Sequence, residues 1–274
     1  MKQGSRQPEL VQLGDNDARD QRVFVRGQRF SVERVTGGAG MRTEFASATE
    51  IMVLLPSVGA AISGAAGEIP AHSIAIVAAG AHTLELAGAG EAYILATDRL
   101  DRDDPVNAAS YAEPDARVME VGEPFRANRP LDPVRIYPIT DIAIPPENGR
   151  LRFLQSETMS LNWVEYTGQR GRTALSPHSH ADFEQASLAI EGDFIHHVRT
   201  PWGPNADLWR EDDHVAAGKG TIMVIPPDII HTTEGVGEGL HILVDIFAPP
   251  RRDFIARNWV HNAQDYADPA AVHA

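Results

Sequence analysis

Short apolar runs broken by glycine and proline constrain this chain more than anything else in it. From Val23 to about Thr97 they read RVFV, RFSVERV, EIMVLLPSV, SIAIVAAG, HTLELAG and EAYILAT. Each has the length of a strand and is rich in Val and Ile, and none sustains helical period for long. The pattern returns from Leu151 as RLRFLQ, SLNWVEY, QASLAIEG, DFIHHVRT, TIMVIPP and LHILVDIF. Such a chain is expected to be all-β, with 23 glycines and 19 prolines serving many turns. At 274 residues it has room for two domains, each with its own core.

Between the two blocks, residues 98–150 change character and read as an inter-domain connection, with one short helix expected around Pro105–Ala112. Residues 1–22 are polar and read as a frayed lead-in. The stretch from Thr200 to Trp209 reads as a hairpin connection turning at Gly203-Pro204-Asn205. The tail from Arg252 is expected to hold one or two helical turns before a loose end. The halves also resemble each other. Val35–Gly40 is similar to Tyr166–Gly171, and Ile74–Thr83 parallels Ile222–Thr232, which suggests a duplicated β domain.

A formal charge of −14, without clustered Lys and Arg, argues against a nucleic-acid partner. It does not forbid an anionic small molecule, because a buried ion or a single Arg sets the local field. There is no cysteine, so disulfides, thiolate metal sites and a Cys nucleophile are excluded. The first residues lack the apolar core of a signal peptide, and no apolar run reaches membrane-spanning length. The expectation is a cytoplasmic protein without a membrane partner, for which a homodimer stays open. Phosphate-binding glycine loops, HExxH and GxSxG are absent.

Chemistry concentrates in His178-Ser179-His180. Two histidines two apart in an extended segment project from one face and can reach one ion. A further donor follows on the next strand, and another, His231, comes about fifty residues on. Here a resemblance enters. Gly171, His178-Ser179-His180, Gln185 and Gly192 resemble the first cupin motif, and Pro226 to His231 resembles the second. The spacing from Gly171 is one residue longer than usual, and Asp228 stands where Gly is common. The resemblance implies two cupin-like β-barrels (jelly rolls) joined by a connecting segment. Residues 1–118 would form a degenerate, metal-free barrel, and residues 119–274 a barrel holding one divalent ion on His178, His180, Gln185 and His231. Zn, Fe, Ni, Mn and Cu are not distinguished.

The fourth ligand is a choice between neighbours, Glu184 and Gln185. Strand alternation leaves it open: Gln185, Ser187 and Ala189 share one face, while Glu184, Ala186, Leu188 and Ile190 share the other, which reads more like a barrel interior. The family register favours Gln185. With neutral donors only, the ion keeps its full charge, which attracts an anionic substrate and acidifies a bound water.

Asp245, Phe247, Pro249 and Arg251 resemble a D-x-F-x-P-x-R segment of small cupins that act on unsaturated uronic acids. That likeness covers only the C-terminal half. It implies Asp245 as acid or base, Arg251 as a substrate carboxylate clamp and Phe247 as a substrate-binding wall. The alternative is a strand end closed by Pro-Pro, with Arg251 paired to a surface acid. His82 reads as a hydrogen-bonded turn residue. His196, His197, His214 and His241 read as solvated strand histidines. The whole suggests a metal-dependent enzyme for a small, carboxylate-bearing molecule, with isomerase, lyase or dioxygenase chemistry. A non-catalytic ligand-sensing or storage module is the alternative.

Overall fold

The structure, a computed structural model, describes residues 6–16 and 20–269. The chain is all-β, as its run pattern requires. One six-stranded antiparallel sheet carries Gln21–Arg26, Ser31–Gly37, Gly90–Ala96, Ile51–Leu55, Ser73–Val77 and Val134–Pro138, in that spatial order. A three-stranded sheet of Arg42–Ser47, Gly80–Leu86 and Ala60–Ile62 closes over it. Val35, Phe45, Ile51, Val53, Leu84 and Leu86 fill the space between them.

The second half repeats the plan. Its large sheet runs Leu151–Gln155, Ser160–Thr167, Leu240–Phe247, Gln185–Glu191, Thr221–Ile225 and Glu9–Gln12. Its small sheet is Asp213–Ala217, Asp193–Arg199 and Ile230–Val236. The two large sheets pack against each other. Val25, Val32, Met52, Leu54, Ile74 and Leu95 of one meet Leu161, Trp163, Ala186, Leu188, Val224 and Val244 of the other in one continuous core. Strands such as Ile51–Leu55 and Thr221–Ile225 are therefore buried on both faces and read as unbroken apolar runs.

This packing corrects the face assignment made from alternation. Ala186, Leu188 and Ile190 look inward but line the junction between the sheets, whereas Gln185 and Ser187 point into their own barrel, where Ser187 meets the Asp245 side chain. Two unanticipated strands join the halves. Glu9–Gln12, in the supposed lead-in, pairs with Thr221–Ile225, and Val134–Pro138, in the connection, pairs with Ser73–Val77. Each covers an edge that would otherwise show unpaired N–H and C=O groups.

The expected helix at Pro105–Ala112 is a series of turns. Asn107 exchanges two hydrogen bonds with the Arg26 backbone (3.1 and 2.8 Å), and so short a segment gains more from these than from a costly helical nucleus. The tail holds two helical turns, an α-helical one at Arg252–Ala256 and a 3-10 one at Ala263–Asp265. No helix among the described residues is long and apolar enough to cross a membrane.

Candidate metal centre

The centre forms where a loop lies against the small sheet. His178 and His231 exchange backbone hydrogen bonds (3.0 and 2.8 Å), which draws the His178–His180 segment alongside Ile230–Val236. The turn before His231 places Asp228 at φ +69°, a left-handed conformation that Asp tolerates better than most residues. This explains how it occupies a position where glycine is usual. The ligand atoms of His178, His180 and His231 lie within 4.8 Å of one another.

Gln185 begins the strand that faces them. Its Oε1 is 3.0 Å from His180 Nε2 and 3.2 Å from His231 Nε2, while its Nε2 donates to Ser187 Oγ (3.0 Å) and Asp245 Oδ1 (2.9 Å). Ser187 also donates to Asp245 Oδ1 at 2.8 Å, and Asn162 donates to Oδ2 at 3.3 Å. Asp245 pairs in register with Ser187 on one side and Asn162 on the other, so these polar side chains form a ladder across three strands.

Whether this arrangement fits a metal can be tested on His231. Its Nδ1–H donates to the Ile229 carbonyl at 3.0 Å, and burial pushes its pKa down to about 4, so the ring is neutral and Nε2 is a bare lone pair. That lone pair faces the oxygen of Gln185, whose orientation is set by Asp245. Two acceptors aimed at each other suit a shared cation. His178 is held likewise, its Nδ1–H donating to the Ser176 carbonyl at 2.8 Å. Burial pushes His180 down to about 3. The donor set therefore fits a divalent ion: His178 and His231 each keep an Nε2 lone pair, and His180 and the Gln185 oxygen complete the group. Burial raises the pKa of Asp245, against the opposing pull of the Ser187 hydrogen bond, His178 and the two amides.

Glu184 faces the other way. It is buried against the N-terminal half, accepting a hydrogen bond from the Gln28 amide, and burial lifts its pKa to about 7. Its removal from the centre follows from the alternation that turns Ala186 and Leu188 to the junction.

A cavity of about 520 Å³ opens from the histidines, and Asp245, Phe247 and Arg251 all line it. Arg251 is stacked over Phe183, Phe247 and Phe254, with its guanidinium carbon 4.7, 4.8 and 3.9 Å from the ring centroids. Its Nε and Nη2 are engaged by Asp253 (2.8 and 2.7 Å), while Nη1 has no hydrogen-bond partner. Arg251 pairs with a half-exposed acid, and it remains only 12% exposed on the cavity wall.

The remaining histidines need correction. His196 and His241 are buried rather than solvated, each 1% exposed. His196 bonds Thr233 Oγ1 at 2.9 Å, and His241 stacks on Tyr166 and donates to the Val236 carbonyl. His197 lies between His214 (2.8 Å) and Glu234 (3.0 Å). His82 sits on a strand rather than in a turn, bonded to the Ala78 carbonyl. Sequence reasoning missed Asn162 and Ser187. Their signal was a lone polar residue inside an apolar run, SLNWV and QASLAI.

No protein-family model matches the chain, and no curated protein matches it. Solved structures resemble it in shape. A variant of Bacillus subtilis oxalate decarboxylase aligns with a TM-score of 0.59 at 13% identity, over 90% of this chain and 78% of its own. The Lactobacillus farciminis oxalate decarboxylase gives 0.53 at 14%, over 81% and 77%. AerE from Microcystis aeruginosa gives 0.55 at 9%, over 89% and 97%. The fold is a double cupin-like barrel. At such identities the likeness is one of fold and carries no activity.

Proposed function

We propose that the C-terminal barrel is a metal-dependent enzyme centre that acts on a small carboxylate-bearing molecule by moving a proton, in the manner of an isomerase or lyase. The observation that carries this is the Gln185 amide, locked by Asp245 with its oxygen turned toward His180 and His231. A divalent ion on His178, His180, Gln185 and His231 would supply Lewis acidity to a substrate carbonyl or hydroxyl.

The chain's own groups divide the remaining work. Arg251 lines the cavity and supplies positive charge to a substrate carboxylate, held in place by three aromatic faces and by Asp253. Phe247 walls the site beside it. Asp245 exchanges the proton through Oδ2, whose one hydrogen bond among the described residues is the long one from Asn162. Burial raises its affinity for that proton, which suits an acid–base group.

The test is metal analysis of freshly purified protein, together with oxygen uptake and product analysis over a panel of uronates and aromatic acids. The reading expects one equivalent of metal per chain and turnover without oxygen consumption. Oxygen-coupled turnover would select dioxygenase chemistry instead, and binding without turnover would make the barrel a sensing or storage module.

A further inference from the structure

The cavity is basic at both ends. The Ser160–Thr167 strand provides a ruler along its wall. At the Ser160 end, the Arg251 backbone N–H donates to Ser160 Oγ at 2.9 Å. At the other end, the Arg150 carbonyl accepts from the Glu165 amide, and the Arg150 guanidinium lies 5.6 Å from the Tyr166 ring centroid. Arg170 joins this second end through Thr233 and Ser176. Ser160 and Tyr166 are six positions apart, and the Arg170 partners Thr233 and Ser176 each lie two positions from a candidate ligand, His231 and His178, which keeps the second subsite within a diacid's reach of the centre. Asn162 and its partner Asp245 stand between, beside Gln185.

The charges at the two ends differ in how they are satisfied. Arg251 is paired with Asp253. Among the described residues, neither Arg150 nor Arg170 has a carboxylate within salt-bridge distance, although both line the cavity. Glu234 is taken by Arg172 (3.1 Å) and His197 (3.0 Å). Arg170 Nε has no hydrogen-bond partner. Burial and the neighbouring Arg150 push the pKa of Arg170 down, and outweigh the opposing pull of Tyr166, Asp245 and Glu234. In a chain with formal charge −14, two half-buried arginines left unpaired in one cavity are not a by-product of composition.

We infer that Arg150 and Arg170 form a second anion subsite, so that the substrate carries two anionic groups, a carboxylate at the metal end and another acidic group toward Tyr166. This rests on the carboxylate reading of the metal centre and narrows it from monoacids to elongated diacids. Both arginines line the cavity and would add positive charge to it from the Tyr166 face.

The test is calorimetric titration of the full chain, loaded with Zn²⁺, with straight-chain diacids from succinate to suberate and with the monoacids of equal length. The best diacid should bind about tenfold or more tightly than its monoacid, as one additional charge-assisted contact supplies. R150Q and R170Q should each shrink that preference while leaving the monoacid affinity unchanged, which also reports that the variants are folded. R170K, which keeps charge but loses the fork, should fall between. Equal affinity for diacid and monoacid, or a preference that survives R150Q/R170Q, would overturn the second subsite and leave the metal-end reading standing. Failure of every acid to bind would sink both.

Discussion

The Asp245 carboxylate accepts a hydrogen bond from the Gln185 side chain at 2.9 Å, and so decides which way the amide oxygen points. A carboxylate behind an amide also draws negative charge onto that oxygen, much as a carboxylate behind a ligating histidine raises its basicity. In D245N the amide loses its fixed partner. We expect metal affinity about 10- to 100-fold weaker, measured by competition with a chromophoric chelator. An unchanged dissociation constant would show that Asp245 has no hold on the centre.

Glu184 and Gln185 are neighbours with opposite duties, and two substitutions separate them. Q185A should weaken metal binding, because it removes the oxygen 3.0 and 3.2 Å from two imidazoles. E184Q should leave metal affinity alone, since that side chain faces Gln28 across the junction. Metal loss in E184Q with retention in Q185A would reverse the assignment.

Metal removal should be visible as a loss of stability. An ion present at a hundred times its dissociation constant adds about 2.7 kcal/mol. At roughly 2–4 °C per kcal/mol for domains of 150–250 residues, chelation should lower the melting midpoint by about 5–10 °C. H178A should melt at the chelated value, and chelator should not shift it further.

Glu33 gives the fold an acid limit. It is fully buried, and burial disfavours its charge, yet the hydrogen bond from Arg22 and the charge of Arg99 outweigh this and hold its pKa below the ordinary carboxylate value. Arg102 completes the group at 2.7 Å. Because the folded pKa is the lower one, this stabilisation is present above the ordinary carboxylate range and is lost as pH falls through the lowered value. E33Q should cost about 3–5 kcal/mol at neutral pH, by leaving three arginines without their shared anion. Its stability should also decline less than that of the unaltered protein on acidification. Parallel pH–stability curves would show that Glu33 is not the group responsible.

Local features of the sequence were the legible ones. Strand lengths, the His-x-His spacing and the second motif are each written within a few residues, and the three histidines do converge. What stayed hidden depends on contacts between distant segments. Alternation along Gln185–Glu191 yields two faces but does not say that the apolar one meets another sheet rather than a barrel interior. Glu9–Gln12 has no strand character beyond four residues and is a strand because Thr221–Ile225 lies beside it. His196 and His241 look like surface residues until Thr233, Tyr166 and the Val236 carbonyl close around them. Arg150 and Arg170 are twenty positions apart and gain meaning only from a shared cavity.

The exchange of edge strands ties the halves like a clasp fastened at both ends. Glu9–Gln12 leaves the N-terminal barrel to complete the C-terminal sheet, and Val134–Pro138 is returned in the opposite direction. A cut between Pro138 and Leu151 would release a C-terminal piece lacking its outermost strand and an N-terminal piece carrying a strand meant for its neighbour. The C-terminal barrel is therefore not a portable cassette. Gln185, which faces its histidines, lies on a sheet whose last strand, Glu9–Gln12, is supplied by the other end of the chain.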